Sequence, residues 1–264
     1  MVALRAKNMT GEIEQCICLC SFANAILAAP EQLSQIIASV PASAFSHVGV
    51  VRFDHASVAG QDAFLEWINM LKKLKSRRLW LGTTARQQFL SPHVAEAFAN
   101  ANPRSITAET SSGFIGWTTS WEFQPSKSWT VTFTQIGTPR PPVSWDLDAC
   151  FANLQRSIAE IRDFSARIAE SHWQTLFEKA LRALNTNTRN SRLPEFGYDI
   201  QAHAIMNGAA SAWVFGGMGS WNDLWFDDEK LLPKYNEVTE RLYNAIIGSV
   251  MTSVNSFDAS KTRT

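Results

Sequence analysis

Apolar and polar residues alternate in two runs at the middle of the chain. The first run, 115–123, places Ile, Trp, Thr, Trp and Phe at every second position, and the second, 129–135, does so with Trp, Val, Phe and Gln. Five turn-forming residues, Gln124–Ser128, separate the runs. A period of two is that of a β-strand, whose successive side chains point to opposite faces. Segment 113–137 is therefore predicted to be an antiparallel hairpin with one aromatic face and one Thr-rich, half-solvated face.

Shorter patterns before the hairpin switch between strand and helix. The strands are expected at Glu14–Phe22, His47–Phe53 and Leu79–Gly82. The helices are expected at Glu31–Val40, which begins after Pro30, and at Gln61–Lys75, where apolar residues recur at helical spacing. These elements predict an N-terminal mixed sheet of α+β or α/β class.

The pattern becomes helical after the stiff segment Thr138–Pro142, which predicts a boundary between parts 1–138 and 144–255 of one compact unit. Ser144 is a candidate N-cap for a long helix that ends near Ile168. Further helical stretches are expected at 173–184, 199–212 and 234–254. Residues 256–264 are predicted to be a frayed tail.

The three cysteines of the first predicted strand alternate in the sequence Cys-Ile-Cys-Leu-Cys. On a strand, Cys16, Cys18 and Cys20 would share one face and begin a metal site. Zinc sites usually pair cysteines two to four residues apart, and the chain has no matching pair of histidines. We therefore expect buried free thiols, no metal and a reducing, cytoplasmic compartment.

The overall charge is balanced, with 24 basic and 24 acidic residues and a pI near 7.0. This balance argues against a nucleic-acid binder, which needs a basic stripe. The basic cluster at 72–78 is interpreted as a solvated helix end, and the acidic run 227–229 as a solvated turn. Because no run of eighteen apolar residues occurs, no membrane span is expected.

The segment Gly216–Asp223 is the best candidate for a binding site. It combines small flexible residues with short polar groups, and three tryptophans surround it: Trp213, Gly216, Gly217, Gly219, Ser220, Trp221, Asn222, Asp223 and Trp225. The segment lacks the Lys-Ser/Thr end of a phosphate loop, the Rossmann glycine spacing and the flanking glycines of a nucleophile elbow. It either cradles a ligand or forms a tight aromatic-packed turn in which Asn222 and Asp223 bond to backbone groups.

Asp54 and His55 follow a predicted strand, a position where α/β folds often place site residues. Together with Asp223 they are the weak catalytic candidates. The alternative is an ordinary turn at the strand end, because adjacent strand residues point to opposite faces. No cofactor is implied, and spacing alone assembles no catalytic constellation.

The stretch 213–223, followed by Tyr235, Leu242-Tyr243 and Asn255, resembles the ending of small bacterial immunity-type proteins encoded beside toxin genes. The resemblance covers residues 213–255. It implies stoichiometric binding of a cognate toxin and carries over no catalytic residue.

Three functions are therefore open. The first is a cytoplasmic, non-enzymatic protein that binds another protein through an aromatic-rich surface, an idea favoured by ten Trp and sixteen Phe. The second is an enzyme or ligand-binding protein with a pocket near Asp54, His55 and the Gly216–Asp223 loop. The third is an assembly subunit that uses the long helix as an oligomer contact.

Overall fold

One six-stranded sheet and eight α-helices form the regular structure of the residues that the computed structural model describes, namely 9, 11–53, 56–84, 90–137, 146–216, 218–226 and 228–262. The strands are β1 Val48–Phe53, β2 Ala56–Ala59, β3 Arg78–Thr83, β4 Arg104–Thr110, β5 Gly113–Phe123 and β6 Trp129–Ile136. The helices are α1 Glu12–Ala28, α2 Leu33–Ser39, α3 Ala63–Lys73, α4 Pro92–Ala95, α5 Leu147–Arg167, α6 Ser171–Leu184, α7 Ile200–Ser211 and α8 Leu232–Asn255. The α+β class is confirmed.

The sheet has the order β2-β1-β6-β5-β4-β3 and is mixed, because β1 pairs parallel to β6 while every other neighbouring pair is antiparallel. The predicted hairpin is confirmed as β5 and β6, with Trp121 opposite Val131. On its aromatic face Trp117, Trp121 and Phe133 are buried while Phe123 is exposed, and Ser120 and Thr134 on the other face are exposed. Strands β2 and β4 were not predicted, because β2 is short and β4 is buried on both faces and lacks clear alternation.

The predicted strand Glu14–Phe22 is wrong, because these residues lie within helix α1. Every residue of α1 from Ile13 to Ile26 is buried. A helix surrounded by protein on all sides has no polar stripe, so the amphipathic period that reveals a surface helix is missing.

The three thiols therefore do not share one face. A helix turns about 100° per residue, so Cys16 and Cys20 lie one turn apart on the same side while Cys18 points elsewhere. All three thiols are free and buried, as the buried-thiol interpretation predicted. Burial raises the pKa of each of them, which keeps them protonated.

Helix α1 lies between the sheet and the helical part. It contacts β3 and β4 on one side and α8 on another, and the indole Nε1 of Trp67 in α3 donates to the carbonyl of Leu19, 3.1 Å away. The buried apolar residues of sheet and helices form one continuous cluster. In the described part of the chain no single helix is long and apolar enough to cross a membrane, and only the pair α1 and 30–39, bent by 116°, meets that test by length and composition.

Helices α5 to α8 pack against one another, as the long predicted helices require. The N-cap of α5 is Asp146, whose side chain accepts from the N–H groups of Asp148 and Ala149, whereas the predicted cap Ser144 lies outside the described residues. The first turn therefore receives the acidic cap that its dipole favours.

The segment from residue 256, predicted to be a frayed tail, is attached to the fold at its beginning, whereas residues 259–261 are exposed. Phe257 is buried, and the N–H of Asp258 donates to the carbonyl of Gly197. The guanidinium of Arg78 in β3 donates to the carbonyls of Asn255 and Phe257, at 2.8 and 3.1 Å. The sequence analysis placed Arg78 in a solvated basic cluster. In the structure Arg78 instead links the end of α8 to the sheet.

Candidate functional site

The segment between α7 and α8 contains all the predicted binding residues. Gly216 and Gly219 have positive φ angles of 151° and 77°, which suits glycine and lets the chain reverse there. Gly217 lies outside the described residues. Trp213 is buried against Phe215 rather than presented to a ligand.

The side chains of Ser220 and Asp223 are hydrogen-bonded within the turn itself. The Asp223 carboxylate accepts from the N–H of Gly219 and, at 3.1 Å, from that of Ser220, while the Ser220 hydroxyl donates to the carbonyl of Gly216. Ser220 and Asp223 together form a capping box for the short 3-10 helix Trp221–Asp223. This arrangement matches the tight-turn interpretation, in which Asp223 bonds to backbone groups.

Trp221 anchors the turn in the helical part. Its side chain is fully buried among the rings of Phe164, Trp173, Phe177 and Tyr235. The indole Nε1 donates to Thr239 Oγ1 at 2.8 Å, and the Tyr235 hydroxyl donates to the Trp221 carbonyl at 2.8 Å. The turn is therefore rigidly held, because its central side chain is packed and hydrogen-bonded at once.

Asn222 joins the turn to α4. Its Nδ2 donates to the carbonyl of His93 at 2.9 Å, and the His93 ring faces Phe215 and Tyr243. Asn222 is thus a contact between two segments that are far apart in sequence.

The same turn exposes two large apolar side chains. Met218 is 94 % exposed and Trp225 is 88 % exposed, the two highest values among the exposed large hydrophobic residues described. We call these two side chains the Met218–Trp225 surface. Trp221 lies between them in sequence and is fully buried, so the turn has one buried anchor and two exposed apolar side chains.

No family model, no curated protein and no solved structure matches this chain. The candidate catalytic pair Asp54 and His55 lies outside the described residues. Within the described ranges, no group of three His, Cys, Asp or Glu side chains is placed to hold a metal ion.

A second candidate site is a pocket of about 400 Å³ between the start of α1, the segment 96–104 and the aromatic end of the β5–β6 hairpin. A buried ion pair lies in its wall: the Arg104 guanidinium donates to Glu96 Oε1 at 2.5 Å. The Tyr243 hydroxyl of α8 donates to the same carboxylate oxygen at 2.6 Å. Burial lowers the pKa of Arg104, but Glu96 and Tyr243 outweigh this effect and raise it, so the guanidinium stays charged.

Glu12 is the second carboxylate of this pocket. Its Oε1 accepts from the Thr119 hydroxyl at 2.5 Å and from the N–H of Arg104 at 2.7 Å. Burial raises the pKa of Glu12, although these two hydrogen bonds partly oppose the rise. A carboxyl group in this setting can exchange a proton nearer to neutral pH than an exposed one.

The sequence does not identify this pocket. Glu12 stands before an apolar run, and Arg104 stands in a strand that was not predicted, so neither carries a motif. The one feature of the sequence that could have indicated this pocket is the position of Glu12 at the border of an apolar segment. Acidic residues are common at the start of helices, so this position alone does not indicate a site.

Proposed function

We propose that the protein binds another protein, in the manner of an immunity-type protein that neutralises a cognate toxin by stoichiometric binding, and that the Met218–Trp225 surface contacts the partner. The observation that carries this proposal is the 88 % exposure of Trp225, whereas Trp213 and Trp221 of the same turn are buried. Exposing a tryptophan to water forgoes a large hydrophobic free energy, which binding would recover.

The rigidity of the turn supports this role. A side chain presented on a pre-organised backbone loses less conformational entropy on binding than one on a mobile loop. The bonds of Asp223 to Gly219 and Ser220 and the burial of Trp221 supply that organisation. Trp is also enriched among the residues that dominate binding energy at protein interfaces.

Acidic groups lie next to this surface along the chain. Asp223, Asp228 and Glu229 are exposed. Such groups at the rim of an interface favour a partner with basic residues and chiefly raise the association rate. Both the exposed apolar pair and the acidic rim belong to the stretch that carries the resemblance to immunity-type proteins.

The test begins with the neighbouring genes of the source organism: a toxin gene is expected among them, and its product is then co-expressed with this protein. Wild-type protein is expected to restore growth and to form a complex of defined stoichiometry with the purified toxin. Trp225→Ala should weaken the complex by tenfold or more, and Met218→Ala by less, because hot-spot tryptophans carry the larger share of binding energy.

Leu65→Ala is the matched control, because Leu65 in α3 is also a large exposed apolar residue, 49 % exposed, and lies outside the 213–226 turn. Equal affinity of the Trp225→Ala and Leu65→Ala variants would contradict the role of the Met218–Trp225 surface. Failure of the wild-type protein to bind or to protect would contradict the proposed function itself.

A further inference from the structure

His93 in α4 contacts the turn between α7 and α8 at two points. The centroid of its imidazole lies 6.2 Å from that of the Phe215 ring, and its carbonyl accepts from Asn222 Nδ2 at 2.9 Å. The chain between these two contacts carries Met218 of the Met218–Trp225 surface. Helix α4 therefore holds the 215–222 segment at both of its ends.

The surroundings of the His93 ring favour its neutral form. His93 is 7 % exposed, and its ring also faces Tyr243 of α8, whose pKa is raised by burial so that its hydroxyl stays uncharged. Its Nδ1 is buried and has no hydrogen-bond partner among the described residues, while Nε2 lies 3.4 Å from the Ser91 hydroxyl. An imidazolium carries a hydrogen on both nitrogens, so a proton gained here would bury a charge whose Nδ1–H has no acceptor.

The charged groups around His93 do not compensate for this burial. Glu240 of α8 is exposed, and its charge raises the pKa of His93, but burial has the larger effect and lowers that pKa below the ordinary value of 6.5. Glu96, one turn further along the chain, is paired with the Arg104 guanidinium. On the side of the turn, the carboxylate of Asp223 accepts from backbone N–H groups of the turn itself.

The rest of the turn is held by contacts that do not involve His93. Trp221 is fully buried among the rings of the helical part, and the capping box of Ser220 and Asp223 closes the short 3-10 helix. Hydration of a charged His93 ring therefore requires only that α4, a helix of four residues, separate from the 215–222 segment. That segment would then lose its support at both ends, and Met218 would be presented on a less organised backbone.

We propose that His93 is an acid-sensitive switch of the Met218–Trp225 surface: a proton on its ring separates α4 from the 215–222 segment and weakens partner binding. Acidification favours separation because a hydrated imidazole binds a proton more tightly than the buried one. The binding-competent state is then less populated, and the apparent Kd rises in proportion. The effect on binding rests on the proposed function, whereas the separation itself does not.

The separation can be tested without a partner, by NMR of the full-length protein labelled with ¹³C at its methionine methyl groups. The Met218 signal is identified by its loss in Met218→Leu. We expect this signal to shift between about pH 7.5 and about pH 5, with its midpoint below the ordinary histidine pKa. His93→Phe keeps an aromatic ring and the backbone carbonyl, and should abolish the shift. His172→Phe, at an exposed position of α6, is the matched control and should retain it.

A Met218 signal that does not respond to pH, or that responds equally in His93→Phe, would overturn the switch. Asn222→Ala provides a second test that does not depend on the folding of His93→Phe, because it removes one of the two contacts with α4. At about pH 7.5 its Met218 signal should lie nearer to the acid position of the wild type. A signal at the neutral position of the wild type would contradict the proposal.

The consequence for binding is measured with the toxin. The Kd of the wild-type protein should rise about threefold or more between about pH 7.5 and about pH 5, and that of His93→Phe should rise less. Equal ratios for the two proteins would overturn the effect on binding. Absence of binding at about pH 7.5 would contradict the proposed function instead, and the Met218 signal would still decide whether the switch exists.

Discussion

The side-chain amide of Asn24 pairs with the backbone of Leu79 as a neighbouring strand would. Its Oδ1 accepts from the Leu79 N–H at 2.7 Å, and its Nδ2 donates to the Leu79 carbonyl at 3.0 Å. Asn255 does the same with Leu81, at 2.8 and 2.9 Å. Because β3 is an edge strand, two asparagines from α1 and α8 satisfy backbone groups that no strand reaches.

Replacing Asn24 by leucine should destabilise the protein by about 2–4 kcal/mol, because the buried N–H and carbonyl of Leu79 both lose their partner. Urea unfolding measures the loss. Asn244→Leu, at an exposed position of α8, is the control and should change stability little. Equal stability of the two variants would show that the amide pairing contributes nothing.

Thr239→Val should cost about 1–3 kcal/mol, because the buried Nε1 of Trp221 would lose its acceptor while the side-chain volume is kept. Thermal unfolding, with Thr175→Val at an exposed position of α6 as the control, measures this cost. A melting temperature unchanged by Thr239→Val would mean that packing alone holds Trp221.

Glu96→Gln should destabilise the protein by about 3 kcal/mol, since it leaves the buried Arg104 guanidinium without its counter-charge. Glu237→Gln breaks an exposed pair with Arg241 and should have no resolvable effect. Guanidinium unfolding cannot separate charge effects from salt screening, so urea is the denaturant to use. Similar losses for both variants would contradict the distinction between buried and exposed pairs.

The stability of the protein should fall as pH decreases from about 6.5 to about 4 because of His203. Burial, with a smaller effect of Arg189, lowers the pKa of His203 to about 4, and its Nδ1 accepts from the Asn190 N–H at 3.0 Å. The unfolded chain therefore takes up this proton first, and the stability present above the ordinary pKa of 6.5 is lost as pH falls toward the folded value.

His203→Asn keeps an acceptor near the Asn190 N–H and removes the titration, so its stability should vary less with pH across this window. Urea unfolding at about pH 7 and about pH 4.5 gives the change of unfolding free energy with pH for the wild type and for the variant. The control is His172→Asn, at an exposed position. A slope that His203→Asn leaves unchanged would assign the pH dependence to other groups.

Two of the predicted elements that the structure confirms, the β5–β6 hairpin and α5, each have one buried and one solvated face. The β5–β6 hairpin and α5 reveal their periods for this reason. Helix α1 was misread because it is buried all round, and Cys-Ile-Cys-Leu-Cys then imitates the alternation of a strand. The attachment of the segment beyond Asn255 was not predicted because it depends on partners that are distant in sequence, such as Arg78, whose guanidinium donates to the Phe257 carbonyl.

The candidate site divides in the same way. The unusual composition of Gly216–Asp223 is visible in the sequence, and glycine geometry together with short polar side chains explains its tight turn. Which of its tryptophans is buried is not visible, since Trp221 and Trp225 have the same side chain and differ only in what packs against them.

By itself the sequence determined the α+β class, the hairpin, the long C-terminal helices and the location of the tight turn, because local period and turn chemistry are encoded by neighbouring residues. Only the tertiary structure decided that Glu12 and Arg104, 92 positions apart, line one pocket, and that two asparagines close the edge of β3. The reason is physical: such contacts form when segments that are distant in sequence bury their surfaces against each other, and the spacing of residues along the chain does not encode which segments meet.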